Sequence, residues 1–70
     1  MIEQYLVRSA GAGPDLVWVA EVVYDPLYGW GEVIHCGELE GHREWIFGRL
    51  HLEHALAAAR NRGYQVDRLA

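Results

Sequence analysis

The sequence predicts an α+β fold, a small antiparallel β-meander of three to four strands packed on one C-terminal α-helix. Three observations predict it. Leu16–Tyr24 holds four valines, a Trp and a Tyr in nine residues, with Glu21 as its one charge. Branched and aromatic side chains fit a pleated surface and lose rotamer freedom in a helix, so this stretch reads as a strand. In Leu50–Arg62, by contrast, Leu52, Ala55, Leu56 and Ala59 recur at i, i+3, i+4 and i+7, one narrow apolar stripe of a helix. The third observation is order, because the strand-like runs come first and the helix follows them.

Ile2–Arg8 is the first strand, with Tyr5 and Val7 on one side and Leu6 on the other. Ser9–Asp15 is a run of turn formers that reverses the chain. Its Gly-Ala-Gly is no dinucleotide fingerprint, since it lacks the third glycine and no helix follows. In Leu16–Tyr24, alternation sends Leu16, Trp18, Ala20, Val22 and Tyr24 to one face and Val17, Val19, Glu21 and Val23 to the other. Both faces are largely apolar. The chain's own helix covers one, and a second subunit or a partner is expected over the other. Asp25–Gly31 is a turn opened by Asp-Pro, and it carries the aromatic pair Tyr28 and Trp30. Glu32–Leu39 reads as a third strand, Glu40–His42 as a turn, and Arg43–Phe47 as a fourth strand or the start of the helix. Arg60 and Arg62 suit the helix C-terminus, Gly63 offers a left-handed C′ residue, and Tyr64 can fold back on Ala59. Gln65–Leu69 is a short tail that could add an edge strand.

Seventy residues allow a single domain, 1–70, near the lower size for an unstapled core. A hydrophobic fraction of 51% in so short a chain leaves apolar area over, which points to association. The formal net charge of −4 argues against direct nucleic-acid binding, which runs on clustered Lys and Arg. All six basic residues are Arg, so Lys Schiff-base chemistry and a P-loop are excluded. Cys36 is the lone cysteine, which rules out an intrachain disulfide and fits a reducing compartment. Neither a signal peptide nor a membrane span is visible, and the expected location is cytoplasmic.

The candidate chemistry is sparse. His51 and His54, at i and i+3 on the helix, could join Cys36, His42 or His35 around a zinc ion. The spacing matches no zinc signature, so solvated helix histidines are preferred and no metal or other cofactor is expected. Ser9, the one serine, lies in a turn, and strand alternation separates His35 from Cys36. Paired carboxylates such as Glu38 and Glu40 read as solvated, and no deep pocket is expected to shift their pKa values. An enzyme is therefore not expected.

Charge is distributed unevenly. Glu32, Glu38, Glu40 and Glu44 place four of the ten acids within thirteen residues, whereas Arg49, Arg60, Arg62 and Arg68 fall in the C-terminal third. Such polarity steers encounter with a charged partner. Loop aromatics are typical interface anchors, so Tyr28 and Trp30 are the expected anchors, with Glu38, Glu40 and Glu44 guiding approach.

Two resemblances attach to particular residues. Trp18–Gly29, with its Val-Ala-Glu-Val-Val-Tyr-Asp-Pro-Leu-Tyr interior, and the later helix Glu53–Ala59 resemble HicB-type antitoxin domains. Those domains carry a Tyr-Val-Ala strand, a Leu-Pro-Gly turn and a Glu-Glu-Ala helix. The match spans under half of the chain and departs at the turn, and it implies an antitoxin or regulatory domain. Trp30-Gly31 between strands and ahead of a helix is similar to WGR domains, with Glu32 where those have Arg.

The expectation is a small acidic non-enzymatic module that binds another protein with a basic surface and forms a homodimer. Its size and charge suit an inhibitor carried by a phage or mobile element, as anti-CRISPR proteins are. The alternatives are a HicB-like regulator and a small metal-binding module.

Overall fold

A computed structural model describes residues 1–9, 18–36 and 41–69. The chain runs β1 (Glu3–Arg8), β2 (Trp18–Asp25), β3 (Trp30–His35), β4 (Arg43–Phe47), α1 (Arg49–Asn61) and β5 (Gln65–Arg68). The strands make one sheet in the order β4-β3-β2-β1-β5, and every neighbouring pair is antiparallel. The fold is α+β, a sheet with one helix on a face. Among the described residues it has five strands rather than three or four, because the tail after the helix returns to the free side of β1.

The Gln65–Leu69 tail does add an edge strand, although Val66 is the one apolar residue of β5. What holds it is cross-strand: Val66 stands opposite Val7, and Arg8 is hydrogen-bonded to Asp67. Two bounds also differ from expectation. Trp30 belongs to β3, opposite Asp25 and Phe47, so the turn is only Pro26–Gly29. β3 ends at His35, and the Cys36 amide donates to the Val19 carbonyl at 2.9 Å. The expected turn at Ser9–Asp15 lies almost wholly outside the described residues, as do Leu16, Val17, Glu38, Leu39 and Glu40.

The register sorts the faces. Tyr5, Val22 and Val33 line up across β1, β2 and β3, as do Tyr24, Gly31 and Ile46 across β2, β3 and β4. With Val7, Ala20 and Val66 these residues face α1, whose Leu52 and Leu56 complete the core. Ala55 and Ala59 pack against it from the same helix, as the apolar stripe predicts. Leu52 is wholly buried, which stabilises the fold by roughly 1.5–3 kcal/mol.

Both ends of α1 are set by glycine. At the C-terminus Gly63 takes φ 87°, and the Gly63 and Tyr64 amides donate to the Arg60 and Ala59 carbonyls. This is the expected Schellman closure. At the N-terminus Gly48 offers no side-chain cap, and the first turn holds no acidic residue. Arg49, set there against the helix macrodipole, is instead paired with Glu3 at the start of β1.

Candidate protein-binding surface

Every strand either begins or ends at the same end of the sheet. β2 turns into β3 there, β4 turns into α1, β1 starts and β5 finishes. The Gly48 amide donates to the Gly29 carbonyl at 2.7 Å and ties the two turns together. The nine large hydrophobic residues that stand exposed among those described all gather at or near this end. Leu27 and Tyr28 form the turn tip, and Leu50 begins the helix beside it. Ile2 and Leu69 flank the start of β1, where the Leu69 amide donates to the Gln4 carbonyl.

The aromatic part of the patch lies on the sheet face that α1 leaves uncovered. Trp30 on β3 pairs with Phe47 on β4, and Trp45 lies two residues from Phe47 on the same side. The Trp30 and Trp45 rings meet at 5.4 Å between centroids with a tilt of 51°. Exposures are 73% for Tyr28, 45% for Trp30, 52% for Trp45 and 70% for Phe47. At roughly 150–250 Å² per aromatic side chain, the four leave on the order of 500 Å² in water. A typical monomer's largest apolar patch is about 300–600 Å², and these four aromatics alone expose an area in that range.

The polar groups of this face are largely paired within the chain. Gln4 donates to Glu21, Arg8 bonds Asp67, and Arg43 stands 3.6 Å from Glu32. The Arg8 bond holds the Asp67 carboxyl below its usual range, with a smaller contribution from Gln65. Asp25 Oδ1 accepts from the amides of Leu27 at 2.9 Å and Tyr28 at 3.3 Å, an Asx turn that presents the tip. Val23 and Ile34 lie between these groups. Together with Ile2, Trp30, Asp25 and Glu32 they line a shallow hollow of about 260 Å³.

Beneath the same end lies a buried polar cluster. The Glu3 carboxylate accepts from Tyr5 Oη at 2.6 Å and from Arg49 Nη1 at 2.8 Å, with a second bond from Arg49 Nη2. Arg68 approaches it at 3.9 Å. The Arg49 bonds, then Tyr5, hold the Glu3 carboxyl down at about 2 against the opposing effect of burial. Burial first, then the bond to Glu3, pushes the Tyr5 phenol up, and the Glu3 bond raises Arg49. Arg49 also lies over the Tyr24 ring at 5.1 Å. This cluster ties β1, α1 and β5 together and gives the patch a fixed base.

The expected site residues are brought together only in part. Tyr28 and Trp30 share the apolar end, one on the turn and one on the strand. Glu44 does not join them, because it pairs with Val33 on the helix-covered face and meets His35 Nε2 at 3.2 Å. Glu38 and Glu40 lie outside the described residues. Trp45, Phe47, Asp25 and Glu32 belong to the surface and were not assigned to it from the sequence. The signal for the two aromatics was the alternation in Arg43–Phe47, which sets Trp45 and Phe47 on one face and sends Ile46 to the core.

The histidines do not converge. His51 Nδ1 accepts from the Phe47 amide at 3.0 Å, and among the described residues no three His, Cys, Asp or Glu side chains are placed to hold a metal ion. No described helix is long and apolar enough to cross a membrane. A second hollow of about 260 Å³ lies between α1 and the sheet, walled by Ala55, Ala58 and Ala59 with His35, Glu44 and Arg62 at its rim.

No protein-family model, curated protein or solved structure matches the chain. The likenesses to HicB-type and WGR domains stand on the residues quoted for them alone.

Proposed function

We propose that this chain is a non-enzymatic protein-binding module that docks a partner on its apolar end and the adjoining uncovered sheet face. The gathering of its exposed large hydrophobics at one end carries this reading. Solvent does not favour so concentrated a patch, whereas an interface core of aromatic anchors with a paired polar rim does. The turn tip and the Trp30–Trp45 pair serve as anchors. A module this small acts by occupying its partner's surface, which makes inhibition of that partner the mode of action its size suits. A second copy of the chain is one form the partner can take.

The test is capture from a source lysate by the tagged parent, by Tyr28→Glu/Trp45→Glu, and by His42→Ala at the opposite end. Both glutamates replace exposed side chains, so circular dichroism should match the parent. Truncating an anchor costs about 2 kcal/mol or more, roughly a 30-fold loss of affinity. The parent and His42→Ala should retain the same partner and the double variant should lose it. Equal capture by all three proteins would place the interface elsewhere.

A further inference from the structure

We infer that the hollow on the uncovered face is a socket for one arginine side chain of the partner. The inference rests on the reading of this face as the docking surface and deepens it. The hollow, at about 260 Å³, falls below the roughly 300–1,000 Å³ of drug-sized ligand sites and suits a single side chain.

Its lining is of two kinds. Val23, Ile34 and Ile2 supply apolar walls, and the indole of Trp30 stands beside them. Asp25 is opposite Trp30 in the register and Glu32 is opposite Val23, so two carboxylates border one small apolar basin. Their compensation inside the chain is incomplete. Arg43 approaches Glu32 only to 3.6 Å and remains largely exposed. Asp25 commits Oδ1 to its Asx turn, and among the described residues its Oδ2 takes no hydrogen bond.

This chemistry selects the occupant. A purely apolar side chain would strip water from both carboxylates and return nothing to them. An anion would be repelled. A cation on an aliphatic stem satisfies the whole lining, with methylenes on Val23 and Ile34, charge toward the carboxylates, and a cation–π contact with Trp30. Arginine fits better than lysine, because its planar fork can stack on the indole and still donate to both carboxylates.

The probe is N-acetyl-argininamide titrated into the full chain, followed by NMR at the Val23 and Ile34 methyls and the Trp30 indole N–H. N-acetyl-citrullinamide, equal in shape and uncharged, is the control. Saturable shifts at those three groups are expected, with a dissociation constant of roughly 1–30 mM. The citrulline compound should bind about tenfold more weakly or not at all. Asp25→Asn keeps the Asx turn and should weaken arginine binding several-fold, as should Glu32→Gln. Equal binding of the two compounds, or shifts confined to the helix carboxylate Glu53, would overturn the socket. So would an unchanged affinity in both variants. The captured partner separates the two readings. If Tyr28→Glu/Trp45→Glu loses it while Asp25→Asn/Glu32→Gln binds it like the parent, the docking surface stands and the socket falls.

Discussion

Replacing Glu3 with Gln tests the cluster on which the apolar end is built. Glu3 is 4% exposed, and its carboxylate takes bonds from Tyr5 and Arg49 with Arg68 close by. Gln keeps the shape and one acceptor, so Tyr5 can retain its bond. The amide nitrogen, however, faces guanidinium donors, and the charge is gone. Removing one partner of a buried pair costs about 3–5 kcal/mol because the other is stranded. Arg49 is 48% exposed on its side chain and can turn to water, which brings the expected loss to about 2–3 kcal/mol. In a chain of this length that is about 10–20 °C in Tm. The sign with pH follows from the carboxyl being held at about 2 against an ordinary 4.5. Between those values the unfolded chain binds more protons, so the contribution is complete above pH 4.5 and is lost as pH falls toward 2. Urea unfolding followed by Trp fluorescence at several pH values measures both effects. The gap between parent and Glu3→Gln should be wide at pH 7 and narrow in acid. A gap under about 0.5 kcal/mol at pH 7, or one that does not change in acid, would refute the reasoning.

Two further substitutions probe the sheet. Gly31→Ala would set a Cβ 2.3 Å from the Val23 carbonyl oxygen and 2.9 Å from Tyr24 Cα, both backbone atoms that can move only with their strand. β2 and β3 must part there, so a loss of about 3 kcal/mol or more is expected in urea unfolding, and a midpoint equal to the parent's would count against the close approach. His51→Ala removes the acceptor of the Phe47 amide, which should then exchange with deuterium about tenfold faster by NMR, and unchanged protection would mean that the bond does not hold in solution.

Most of the fold was legible because its signals are local. Val and aromatic density marked β2, the stripe Leu52, Ala55, Leu56 and Ala59 marked α1, and Gly63 marked its end. β5 was open as an edge strand in the Gln65–Leu69 tail, and it forms because β1 offers it a free side. What escaped depends on partners distant in sequence. Glu3 and Arg49 are 46 residues apart, and neither looks unusual until the chain brings them together. The surface was half legible for the same reason. Tyr28 and Trp30 stood out among turn residues, whereas nothing local to Trp45 and Phe47 says that the helix lies on the opposite face of their strand. Glu44 stands on the other face, because membership of an acidic cluster in sequence says nothing about which sheet face a residue occupies.

The way the sheet's borders are finished decides how a partner can engage it. The hydrogen bonds between Gly29 and Gly48 and between His35 and His42 fix the phase of the β3–β4 ladder. That phase turns the backbone groups of Arg43, Trp45 and Phe47 outward along the free edge. An added strand would pair with these groups, yet the Phe47 amide is already bonded to His51, and Arg43 and Glu44 place charges along the same edge. The opposite border is β5, four residues long, with Gln65, Asp67 and Arg68 among them. Both borders therefore resist strand addition, the mode in which main-chain bonds supply affinity whatever the sequence. The uncovered face and the apolar end are what remains. On the proposed reading, binding there would rest on side chains, with anchors against Tyr28, Trp45 and Phe47 and a cation beside Trp30. A partner so engaged must be recognised by its own residues rather than by an extended backbone.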